Sequence, residues 1–139
     1  MTQIVFTLGY SGKKMHEIEA LVKRHEAILF DIRFSPYSRA PMWNQSNFQK
    51  VFGGRYRHIK TLGNINYKSG GPIQIADFDA GVKEIKQSGR PVILMCACKD
   101  YHTCHRRAIA DRLRLLGFQV SELDLQQERG KKPDQPLLL

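Results

Sequence analysis

Apolar runs of strand length alternate along this chain with segments whose apolar residues recur at helical spacing, and this alternation restricts the fold more than any other feature. Ile4 to Leu8 is a short β-type run broken by Gly9, and Met15, Ile18 and Val22 then fall on one helix face before His25. Ala27 to Phe34 is a second strand, interrupted by Asp31 and Arg33, and Ser35-Pro36 begins a polar connection that runs to about Gln45. Ser46 to Phe52 reads as a short helix ended by Gly53-Gly54, and Tyr56 to Leu62 as a weaker third strand before the loop Gly63 to Pro72. Asp77 can cap a helix carrying Phe78, Val82 and Ile85, closed by Gly89. Pro91 to Cys96 is the most apolar strand of the chain. Thr103 to Leu116 follows as a helix with Ile109, Leu113 and Leu116 on one face, and Val120 to Leu125 is the last strand.

Parallel strands need crossover connections, and helices of this length supply them. The expected fold is therefore α/β: a three-layer sandwich with a mostly parallel central sheet and helices on both faces. A chain of 139 residues, 42% of them hydrophobic, is the size of one packed domain. Residues 1–125 are expected to form it, with 126–139, charged and proline-containing, as a loosely ordered tail. The opening MTQIVFTLGY lacks the features of a secretory signal, and no apolar run approaches the roughly 20 residues that span a bilayer. Three cysteines, Cys96, Cys98 and Cys104, lie too close together for a disulfide framework. These features predict a cytoplasmic protein with reduced thiols and no membrane partner. The net charge of +9 favours anionic partners, nucleic acid among them.

In parallel sheets ligands gather beyond the carboxyl ends of the strands. Three chemically dense loops leave those ends, Gly9 to Gly12, Asp31 to Arg39 and Cys96 to Arg107, and their convergence would make one pocket. In the last of them the helix start places unpaired amides and a positive dipole end near Lys99, His105, Arg106 and Arg107. Such a field stabilises a thiolate, so Cys96 is expected to be the most reactive thiol with a lowered pKa, provided burial does not reverse the sign. Cys104 and His105 are its expected catalytic companions, and Cys98 the least involved thiol. The same field would hold a phosphate- or sulfate-like anion, with Ser11, Asp31, Arg33, Arg39 and Arg106 as candidate contacts. Asp31 and Arg33 also invite a structural reading, because a charge ending a buried strand needs a partner. Trp43, Phe48 and Phe52 read as packing beneath the long loop. Although Cys96, Cys98, Cys104, His102 and His105 are soft ligands, there is no C-x-x-C pair. Cys104 and His105 would also point about 100° apart on a helix, so neither a metal nor another cofactor is expected.

Several blocks together resemble the family known as domain of unknown function 488: Thr7-Leu-Gly-Tyr-Ser11, Phe30-Asp-Ile-Arg33, Ser35-Pro-Tyr-Ser-Arg39, Leu62-Gly63, and Leu94-Met-Cys96 through Cys104-His-Arg106. The resemblance implies that Cys96, Cys104, His105 and Arg106 occupy the family's cysteine and CHR positions, and that Asp31, Arg33 and Arg39 occupy its DVR and following arginine. Cys98 departs from the family pattern, which commonly has an acid there. A looser outline similarity to rhodanese-like domains lies in Phe30-Asp-Ile-Arg33 and the later strand ending in cysteine. The functional expectation is an anion-binding pocket with a reactive cysteine, serving thiol-dependent transfer or a redox response. The alternatives are a phosphate-reading nucleic-acid accessory domain without catalysis and a non-catalytic protein interaction module.

Overall fold

The computed structural model describes residues 3–98 and 100–123. Five strands, β1 (Ile4–Gly9), β2 (Ile28–Asp31), β3 (Tyr56–His58), β4 (Val92–Cys96) and β5 (Gln119–Glu122), form one sheet in the order β3-β2-β4-β1-β5. Every pairing in it is parallel. Four α-helices connect them: α1 (Met15–His25), α2 (Gln45–Phe52), α3 (Phe78–Ser88) and α4 (His105–Leu115).

Because side chains alternate across a strand, the sheet serves two cores at once. Val5, Ile28, Phe30, Val92, Leu94 and Cys96 point to the side covered by Phe78, Val82 and Ile85 of α3 and Ile109 and Leu113 of α4. Phe6, Leu8, Leu29, Ile93 and Met95 point to the other side, against Ile18, Leu21 and Val22 of α1 and Phe48 of α2. All five residues of β4 are buried, which explains its unbroken apolar sequence. The expected three-layer α/β sandwich is thus present, and the sheet is wholly rather than mostly parallel.

Local chemistry sets the element ends. Asp77 caps α3 by accepting from the Ala80 amide at 3.2 Å, and Gly89 closes that helix with a φ of 62°. β2 stops at Asp31, short of the expected Phe34, and β3 spans three residues before a 3₁₀ turn at Lys60–Leu62 takes over. α4 starts at His105, not Thr103. A separate 3₁₀ turn, Tyr101–Thr103, precedes it because the Asp100 carboxylate accepts from the His102 amide at 2.9 Å. Cys104 is left as the N-cap of α4. Lys99 and the expected tail at 126–139 lie outside the described residues, as do the last two positions of the strand read to Leu125. Among the described residues no helix is long and apolar enough to cross a membrane.

Candidate functional site

The register brings the three dense loops to one edge. Gly9 pairs with Cys96 and Asp31 pairs with Met95, so β1, β4 and β2 end side by side. The Tyr10 amide donates to the Cys96 carbonyl at 2.9 Å, tying the first loop to the third. Gly9 is required there for space: a Cβ on it would lie 1.8 Å from the Cys98 carbonyl oxygen and 3.0 Å from Arg106 Nη1.

Asp31 and Arg33 pair with each other and with the aromatic layer. Arg33 donates from Nε and Nη2 to the two oxygens of Asp31 at 2.8 and 2.6 Å, and from Nη1 to the Trp43 carbonyl at 2.6 Å and Tyr10 Oη at 3.2 Å. Tyr56 Oη donates to the same carboxylate at 2.5 Å. Burial pulls the Arg33 pKa down, but the hydrogen bond and charge of Asp31 outweigh it and raise the pKa. The Tyr56 hydroxyl is raised by burial first and by the Asp31 charge second, and it therefore stays a donor. Trp43 stacks on Tyr10 with ring centroids 4.6 Å apart and Phe48 is fully buried, so these aromatics pack beneath the loop as expected.

Arg106 is 1% exposed and its donors converge on one set of acceptors. Nε and Nη2 bind the Glu122 carboxylate, the latter at 2.7 Å, while Nη1 donates to the Cys98 carbonyl at 2.8 Å and to Cys96 Sγ at 3.2 Å. Glu122 also accepts from Thr7 Oγ1 at 2.8 Å. Arg106 therefore clamps the Cys96–Cys98 loop onto the sheet.

Beside this clamp lie the thiols. Cys96 Sγ and Cys104 Sγ are 2.9 Å apart and both residues are buried, whereas Cys98 is exposed; all three are free. His105 Nε2 must donate to the Ile32 carbonyl at 2.9 Å, since a carbonyl only accepts. That leaves Nδ1 as a bare lone pair, 3.8 Å from Cys104 Sγ. Burial lowers the His105 pKa and favours the neutral ring. The contact with Cys104, then that with Cys98, then burial raise the Cys96 thiol well above its usual value, and Arg106 opposes this without reversing it. Cys104 is drawn down by Cys96, but the contact with Cys98 and burial give a net rise. Cys98 is the low one, held far below the ordinary cysteine range by its contacts with Cys104 and then Cys96. The expectation of a lowered Cys96 pKa is thus reversed: the neighbouring thiols and then desolvation decide the sign, and the thiol that is lowered is the exposed Cys98.

A cavity of about 340 Å³ opens over this cluster. Cys96, Cys98, Cys104 and His105 line it together with Tyr10, Arg33, Phe34, Tyr37, Tyr67 and Ile73. Residues 73–113 match the family model of the domain of unknown function DUF488. The DUF488 match spans α3, β4 and most of α4, and so includes Cys96 and the Cys104-His105-Arg106 run, bearing out the resemblance over that stretch. Gly9 to Gly12 and Asp31 to Arg39 lie outside the matched DUF488 segment. No curated protein and no solved structure matches the chain.

Of the candidate residues, Cys96, Cys104, His105 and Arg33 line the cavity, while Asp31 and Arg106 stand behind its wall, holding other groups. Ser11 and Arg39 are exposed and do not line it. Arg55, Arg57 and Arg107 are also exposed. Sequence reasoning did not single out Glu122, Tyr56 or the rim residues Tyr67 and Ile73. An acid inside the β5 run was the available signal for Glu122. The rim comes from the 63–73 loop, which carried no pattern.

Proposed function

We propose that this pocket is a thiol-based redox centre in which Cys98 is the point of access and Cys96 and Cys104 are the pair that becomes oxidised. The 2.9 Å separation of the two buried sulfurs carries this reading. A bond of about 2.05 Å lies less than about 1 Å of sulfur movement away. The expected reagent is a low-molecular-weight disulfide that enters the cavity. Cys98 attacks one of its sulfurs and expels one small thiol. Exchange within the cluster expels the second and leaves Cys96 joined to Cys104, with Cys98 a thiol again. Two protons leave the protein on the two released thiols, and two electrons pass to the reagent.

The commitments of the buried arginines favour this chemistry over simple anion capture. Arg33 is engaged by Asp31, Tyr10 and Trp43, and Arg106 by Glu122, Cys96 and Cys98. Reduced thiols, and hence a reducing compartment such as the cytoplasm, are the resting condition on this reading.

Incubation of the reduced protein with oxidised glutathione, followed by alkylation and tandem mass mapping, tests it. The expected product has lost two hydrogens, carries a Cys96–Cys104 link and is alkylated at Cys98. Cys98→Ser is expected to slow its formation at least tenfold. A stable glutathione adduct on Cys98 with no internal bridge would reject the reading.

A further inference from the structure

We infer that the fully reduced protein binds one thiophilic divalent cation of the zinc class through Cys96 Sγ, Cys104 Sγ and His105 Nδ1, with its fourth position open toward the cavity. The donor atoms of Cys96, Cys104 and His105 all lie within 4.8 Å of one another, and all three residues are buried. Two thiolates and an imidazole are the donor set that selects zinc from the common cations.

On successive positions of a helix, as the sequence suggests, the side chains of Cys104 and His105 would diverge and no metal would be expected. Cys104 is the N-cap instead, with φ −93° and ψ 150°, an extended conformation that swings its sulfur out of helical register. Its Sγ consequently lies 3.8 Å from the Nδ1 of the next residue. For a tetrahedral zinc ion with Zn–S near 2.3 Å and Zn–N near 2.0 Å, sulfur and nitrogen ligands stand about 3.5 Å apart and two sulfurs about 3.8 Å apart. The Cys104–His105 pair is already close to that spacing. The Cys96–Cys104 pair, at 2.9 Å, has to open by roughly 0.9 Å.

The groups behind the donors match those of a metal site. His105 presents Nδ1 because its other nitrogen donates to the Ile32 carbonyl, which fixes both tautomer and ring orientation. Arg106 Nη1 donates to Cys96 Sγ, as a partner of a coordinated thiolate would. Two thiolates balance a divalent charge, and binding would release their protons to solvent. Cys96, Cys104 and His105 all line the cavity, which leaves the ion an entry path.

This inference stands apart from the redox reading, since a reduced cluster can hold an ion whether or not it later forms a disulfide. The test is an anaerobic Co²⁺ titration of the full reduced chain. It is expected to show one equivalent bound, with thiolate-to-cobalt charge transfer and tetrahedral d–d bands, discharged by one equivalent of Zn²⁺. His105→Gln keeps every thiol and is expected to weaken Co²⁺ binding at least tenfold and shift the d–d bands; Cys104→Ser is expected to abolish the tetrahedral spectrum. No charge-transfer band in the wild-type chain would overturn the inference, as would Co²⁺ affinity and d–d bands unchanged in His105→Gln, which would take His105 out of the site. A protein that forms the Cys96–Cys104 bridge yet binds no Co²⁺ loses the metal site and keeps the redox reading. One that binds Co²⁺ yet forms no bridge does the opposite.

Discussion

Asp31→Asn is expected to lower the unfolding free energy by about 3–5 kcal/mol, a large part of the stability of a domain this size. Asp31 is fully buried and accepts from Arg33 Nε and Nη2 and from Tyr56 Oη. An asparagine of the same shape keeps one acceptor but turns an NH₂ group toward donors, and it leaves the Arg33 guanidinium, 7% exposed, without its counter-charge. The loss should not stay local. Residues 31–33 also supply the Ile32 carbonyl that orients His105 and the Arg33 carbonyl that accepts from His58 at 2.7 Å. Urea unfolding of the variant beside Tyr56→Phe measures this. Tyr56→Phe removes one donor and leaves the ion pair, so its cost should be about 1 kcal/mol. A loss under about 1 kcal/mol for Asp31→Asn would mean that the Trp43 carbonyl and Tyr10 hydroxyl suffice for Arg33.

Gly9→Ala is expected to cost about 3 kcal/mol, at the upper end of overpacking, and to slow formation of the internal disulfide at least tenfold. The added methyl would meet the Cys98 carbonyl oxygen at 1.8 Å. That atom belongs to the backbone, so relief requires the Cys96–Cys98 loop to lift from β1 rather than a side chain to rotate. Lifting the loop breaks the 2.8 Å bond from Arg106 Nη1 to that carbonyl and moves Cys98 away from its sulfur partners. Urea unfolding and glutathione-driven oxidation of the same variant report the two effects. Wild-type oxidation kinetics in Gly9→Ala would show that the close approach at β1 has no part in positioning the thiols. Gly12→Ala is the contrasting control: its φ of 80° strains an alanine, but no atom lies within 4 Å of the added Cβ, so oxidation should be unaffected.

Legibility in the sequence followed the range of the interaction. β4 was readable because a strand buried on both faces must be apolar throughout, and α3 because Asp77 and Gly89 are local signals at its ends. The gathering of Gly9, Asp31 and Cys96 at one edge followed from parallel topology alone. The start of α4 was missed by two residues because Asp100 stabilises a separate turn, and that small error changed the chemistry by hiding the convergence of Cys104 and His105. The pairing of Arg106 with Glu122 joins α4 to a strand beyond it and leaves no periodic trace. The order of thiol acidity could not be read without burial: Cys96 has the charge environment of a reactive cysteine and the solvation of a core residue.

The measurement that bears most directly on the redox centre is an equilibrium titration of the full chain in glutathione buffers, with each sample acid-quenched, alkylated and mapped. The predicted result is one two-electron transition, tenfold in the oxidised-to-reduced ratio per about 30 mV. Along it Cys96 and Cys104 lose alkylation together while Cys98 remains labelled. Continuous alkylation of Cys96 and Cys104 to the oxidising limit, with modification accumulating on Cys98 alone, would contradict it.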